Sequence, residues 1–101
     1  MVEASISDNG KGRLAIQGEL SFASVPGVWA QWQTLDGGQA GLDIDLSDVR
    51  RSDSAGLALL VECLRYSQQT GKSIRFFNIP AQMLAIARVS GLDELLPLHR
   101  D

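Results

Sequence analysis

Apolar positions along the chain come in short runs whose spacing switches between a period of two and a period near 3.6. Ala4-Ser5-Ile6 and Arg13-Leu14-Ala15-Ile16-Gln17 are β-like runs on either side of Asn9-Gly10-Lys11-Gly12, whose glycines suit a hairpin turn. Ser24 is placed as a helix N-cap, with Pro26 in the first turn, where its missing N–H does no harm. Val25, Val28, Trp29, Trp32 and Leu35 follow as an amphipathic stripe, and Gly37-Gly38 ends that helix. Leu42-Asp43-Ile44-Asp45-Leu46 alternates apolar and acidic residues and predicts a strand; residues 47–53 read as a loop. A strong helix is expected over residues 54–69, stopped by Gly71. Ile74-Arg75-Phe76-Phe77 is rich in β-formers, and Asn78-Ile79-Pro80 opens a further helix with Met83, Leu84, Ile86, Ala87 and Val89 apolar. Ser90-Gly91 breaks it before a closing segment over residues 92–96, with room for a short helix.

The order is therefore β-β-α-β-α-β-α. Strands alternating with helices imply right-handed crossovers between parallel strands, and the opening hairpin adds an antiparallel edge. The expected fold class is α/β, a small mixed β-sheet flanked by helices, in a single domain over residues 1–101.

Composition narrows the function. The chain has 101 residues, 45% of them hydrophobic and 21% charged, enough for one core without staples. A net charge of −3 argues against a sequence-independent nucleic-acid binder, which needs a cationic patch. One cysteine, Cys63, excludes an internal disulfide and a cysteine-rich zinc site. One histidine, His99, leaves little for imidazole catalysis. Met1-Val2-Glu3-Ala4-Ser5 lacks the features of a signal peptide, and the apolar run from Leu57 to Val61 is far short of the roughly 20 residues that cross a bilayer. A cytosolic protein with a reduced Cys63 is expected, with no direct membrane insertion.

Two nucleotide-binding look-alikes fall away. Gly10-Lys11-Gly12 joins two strands instead of opening a helix, and Gly71-Lys72-Ser73 follows a helix where a P-loop follows a strand. Asp43, Asp45, Asp48 and Asp53 form an acidic group that suits Mg²⁺ in principle, but solvent exposure and helix capping account for it, and no metal or cofactor is assigned. The most informative segment is Asp53-Ser54-Ala55-Gly56-Leu57-Ala58-Leu59-Leu60. Asp53 and Ser54 are suited to cap the helix, while Ala55 and Gly56 leave its start thinly covered, open to another surface. Leu57, Leu60, Val61 and Leu64, extended by Leu59, Cys63 and Tyr66, form an apolar arc about twice the width needed to face a sheet. Burial between sheet and helices accounts for it, and so does contact with a partner.

Asp45-Leu46-Ser47-Asp48-Val49 and Asp53-Ser54-Ala55-Gly56-Leu57-Ala58-Leu59-Leu60 together resemble the signature of STAS domains, the family of bacterial anti-sigma-factor antagonists. Gly18-Glu19-Leu20 and Ser90-Gly91-Leu92 fit the same family, so the likeness spans nearly the whole chain. Ala55 and Leu57-Ala58-Leu59-Leu60 look most like the branch that serves as the small cytoplasmic subunit of an ABC phospholipid transporter maintaining outer-membrane lipid asymmetry in Gram-negative bacteria. The resemblance implies a non-catalytic binding protein, peripheral to the inner membrane through its partner, an ABC transporter ATPase subunit. It implies protein-binding residues Asp53, Ser54, Ala55, Gly56 and Leu57. The alternative it carries is an anti-sigma-factor antagonist, with an anti-sigma factor kinase as partner and Ser54 as the phosphoacceptor. A plain helix cap remains the other account of Ser54.

Overall fold

In the computed structural model, residues 4–35 and 41–101 are described. β1 (Ala4–Asp8) and β2 (Leu14–Leu20) form the expected hairpin, antiparallel, with Ile6 opposite Ile16. Gly10 and Gly12 take φ of 76° and 81°, and the side-chain oxygens of Asp8 and Asn9 accept from the Gly10 and Lys11 amides at 2.8 Å. α1 (Val25–Leu35) carries Pro26 in its first turn as expected. Ser24 does not cap it in the expected way: its hydroxyl donates backward to the Glu19 carbonyl at 2.8 Å and accepts from the Ser21 amide at 2.9 Å, tying down the preceding turn. Gly37-Gly38 and Met1-Val2-Glu3 lie outside the described residues.

β3 (Gly41–Asp45) leads into β4 (Val49–Ser52), a strand where the sequence predicts a loop. α2 (Ser54–Gln69), β5 (Ser73–Phe77) and α3 (Ala81–Val89) follow as expected; the closing segment over residues 92–96 forms turns, the Leu95 and Leu96 amides donating to the Leu92 carbonyl, and a two-residue strand, β6 (Leu98–His99), follows it. The sheet order is β1-β2-β3-β5-β6, parallel from β2 onward; β4 runs beside β2 past the end of β3, with Leu20 opposite Ser52. β3 and β4 are thus successive neighbours of the one long strand β2; the β2–β4 register slips by one residue, with Arg50 of β4 the extra residue between the Gly18–Val49 and Glu19–Arg51 pairs. The mixed α/β architecture with its opening hairpin is the expected one.

All three helices pack on one side of the sheet: α1 against β1, α2 against β4 and β5, α3 against β4. Alternation puts Ile16, Leu42, Ile44 and Phe76 on that side, where they meet Val28 and Trp32 of α1, Leu57 and Leu60 of α2 and Met83 of α3 in one buried core. The seat of α2 is unusually close. A β-carbon at Gly56 would collide with the Ser52 hydroxyl and stand 2.9 Å from the Leu20 β-carbon. The opposite sheet face is polar. Arg75 forks onto Asp43 at 2.9 and 2.8 Å, and Arg13 stacks over Phe77 at 3.7 Å while gripping Asp101 at 2.7 and 2.8 Å. Along β1, the Ile6 amide that faces away from β2 donates to the side-chain oxygen of Gln31 in α1 at 3.0 Å.

Two outcomes follow from this packing. Gly56→Ala would ordinarily strengthen a helix, but here the added methyl meets backbone-anchored atoms, so a net loss of about 1–3 kcal/mol is expected, read as a lowered urea midpoint with unchanged slope. A gain in stability would show that the contact yields. The Arg13 guanidinium, with help from Asn78, holds the Asp101 carboxyl below its ordinary value of 3.8. The pair's contribution is therefore complete above that range and drains away as pH falls below it. NMR titration should find the Asp101 midpoint below 3.8 in the parent and returned toward it in Arg13→Ala.

Candidate functional site

The first turn of α2 is built by its own cap. Asp53 has extended backbone, and its carboxylate accepts from the Ala55 amide at 2.8 Å, satisfying one of the donors that a helix start leaves over. The Asp53 amide in turn donates to the Leu20 carbonyl at 3.1 Å, which pins the α2 start beside the β2–α1 turn. Ser54, the first helical residue, is exposed, and its hydroxyl has no partner among the described residues.

The five residues singled out from the sequence divide here. Asp53 and Ser54 face solvent. Ala55, Gly56 and Leu57 are buried, Leu57 only 1% exposed, and Gly56 rests on Leu20 and Ser52 of the sheet. The thinly covered backbone expected at Ala55 and Gly56 is thus taken up by the chain's own β2 and β4 and is not open to an outside surface. Small residues stand there because the helix must approach the sheet closely, a need that is indistinguishable in sequence from openness toward a partner. The wide apolar arc is resolved in the same way: Leu57, Leu59, Leu60 and Cys63 are buried in the core, with Val61, Leu64 and Tyr66 partly covered.

Outward apolar surface is carried by the β2–α1 turn and by the facing sides of α1 and α2. Phe22, in the turn pinned against Asp53, is 79% exposed. Val25, Pro26 and Trp29 of α1 and Ala58, Leu59 and Glu62 of α2 line a shallow, mostly apolar groove of about 280 Å³. Its wall residue Trp29 lies 5.2 Å from the buried Trp32, which stands edge-on to Tyr66 with centroids 4.9 Å apart. A signal for Phe22 exists in the sequence, since an aromatic residue in Ser21-Phe22-Ala23-Ser24 belongs to no periodic stripe.

Burial pushes the Cys63 thiol up to about 12, so it stays protonated and unreactive. The acidic group of the sequence is dispersed: Asp43 is engaged by Arg75, Asp45 accepts from the Ser47 amide at 2.9 Å, and Asp53 is the α2 cap. Among the described residues no cluster of three metal-ligating side chains occurs, and no helix is long and apolar enough to cross a membrane.

Known proteins align with this geometry. A family model described as Mlab, STAS domain, matches residues 5–97. The intermembrane phospholipid transport system binding protein MlaB of Haemophilus influenzae is 34% identical over 93 residues, which cover 86% of this chain and 87% of that protein. Among solved structures, the anti-sigma factor antagonist SpoIIAA in its unphosphorylated form superposes with a TM-score of 0.72 at 17% identity, over 95% of this chain and 85% of that one. An anti-sigma factor antagonist from Mycobacterium paratuberculosis gives 0.71 at 20% identity, over 93% and 81%. These likenesses carry the fold, and the family match carries the lineage: a sheet with helices on one side, an Asp-capped α2 and an alignment over most of its length make this chain a member of the MlaB-type STAS-domain family.

Proposed function

We propose that this chain is a cytoplasmic binding subunit of an intermembrane phospholipid transport system, peripheral to the inner membrane, and that it holds the system's ABC-type ATPase through the exposed start of α2. The relative from Haemophilus influenzae is named for such a system and for binding, and this chain aligns with it over most of both lengths. The observation that carries the docking surface is Ser54: exposed, unpartnered among the described residues, and one helical turn before Ala58, which lines an apolar groove, while the exposed Phe22 stands in the turn that follows Leu20, whose carbonyl accepts from the Asp53 amide. A small hydroxyl at a helix start lets another backbone approach closely, while an aromatic knob and a Trp29-walled groove supply apolar area of the kind that dominates interface energetics. Acting by contact, the subunit would favour whichever ATPase state it binds better and so support assembly and turnover of the transporter. That role maintains the lipid asymmetry of the outer membrane.

The same free hydroxyl favours a second reading, an antagonist of an anti-sigma factor whose kinase phosphorylates Ser54. A phosphate at the α2 start would gain from the helix dipole, yet would stand beside the Asp53 carboxylate and disrupt a tight interface.

Ser54→Arg is expected to abolish co-purification with the ATPase and the lipid-transport phenotype while leaving thermal stability within about 0.5 kcal/mol, as for an ordinary surface change. Retention of an intact, working complex would refute the docking surface. Phe22→Ala should weaken the same complex about 5–30-fold, a loss of about 1–2 kcal/mol, again with Tm unchanged. Mass spectrometry of protein isolated from cells separates the two readings: unmodified Ser54 in the ATPase-bound fraction supports the first, and stoichiometric phosphoserine supports the second.

A further inference from the structure

β4 has a neighbour on one side only. It pairs with β2, but β5 ends at Phe77 opposite Asp45, before β4 begins, so no strand flanks its far side among the described residues. That side is completed by a side chain. Gln82, in the first turn of α3, accepts from the Ser52 amide at 3.0 Å through Oε1 and donates from Nε2 to the Ser52 carbonyl at 2.7 Å. A primary carboxamide offers the same coplanar donor and acceptor as a peptide group, so one glutamine stands in for a strand at one residue. The residue it grips immediately precedes the docking tip. The Ser52 hydroxyl is buried, donates to the Asp53 carbonyl at 2.8 Å, and occupies the space that a β-carbon at Gly56 would need. Beyond it, Asp53 caps α2 and Ser54 begins it.

We infer that Gln82 is a positioning residue for the α2 tip: by clamping the Ser52 peptide from α3, it fixes the direction in which Asp53 and Ser54 are presented to the partner. The inference rests on the docking role of Ser54 proposed above. Gln82 is uncharged and sits at the opposite end of α3 from the basic Arg88, so its effect on the tip runs through Ser52 and not through charge. α3 thus does two things, covering the core with Met83 and Ala87 and setting the tip with Gln82.

The test uses the full chain with Gln82→Ala, with Gln82→Met, which keeps the length of the stem but removes the amide, and with Ser54→Arg as a control. Amide hydrogen exchange is read together with affinity for the purified ATPase subunit of the same transporter. In both Gln82 variants, exchange at Ser52, Asp53 and Ala55 should quicken at least about tenfold while Leu42 and Ile44 of β3 keep their protection, and ATPase affinity should fall at least about fivefold. A merely structural role would raise exchange across β3 and β5 alike. That uniform rise, no rise at the tip, or unchanged affinity alongside a weakened Ser54→Arg overturns the inference. Should Ser54→Arg bind normally, the docking role fails, and the exchange pattern alone decides whether Gln82 orders the tip.

Discussion

The arrangement of the whole site depends on one absence, the β-carbon missing at Gly56. Because that position rests directly on Leu20 and Ser52, the N-terminal turn of α2 lies against the sheet with no spacer. Each helical residue advances about 100°, so with Gly56 turned inward Ser54 is carried about 200° away, to the outer side, and Ala58 and Glu62 follow within about 80° of it. The outward stripe is therefore a geometrical corollary of the inward contact. Asp53, being the cap, is bound to the same turn and shares its orientation.

Much of the fold was legible because the long elements carry strong periodic signals. α2 was bounded by a cap and a stop, with Gly71 at a φ of 74° where a left-handed residue was expected. The two strands absent from the sequence pattern are short and lean on neighbours. Val49-Arg50-Arg51-Ser52 buries only its two ends, so its alternation is lost, and it is a strand because β2 and Gln82 supply its partners. Leu98-His99 is a strand only because β5 lies next to it. The site was half legible. Asp53 and Ser54 could be read from capping chemistry, whereas the direction in which Ala55, Gly56 and Leu57 face depends on what lies beneath them. Trp29 and Pro26 belong to a stretch whose periodicity points to the core, and only the closeness of α1 to α2 turns its margin into a groove wall.

Asp43, Asp45 and Asp53, close together in sequence, are put to separate local uses in the fold, bracing a strand pair, closing a turn and capping a helix. The polar sheet face is held by arginines laid across Phe77, which keeps the ring covered without a second helical layer. Large apolar side chains are exposed at few places among the described residues, and Phe22 in the β2–α1 turn is one of them.

The glutamine that meets Ile6 has a consequence for how the molecule keeps company. Unsatisfied main-chain groups on outer strands invite other extended polypeptides to add themselves, the first step toward swapped or fibrillar assemblies. Gln31 beside β1 and Gln82 beside β4 occupy such groups from within. Association is thereby steered away from promiscuous backbone zippering and toward side-chain shape, where selectivity among neighbours resides.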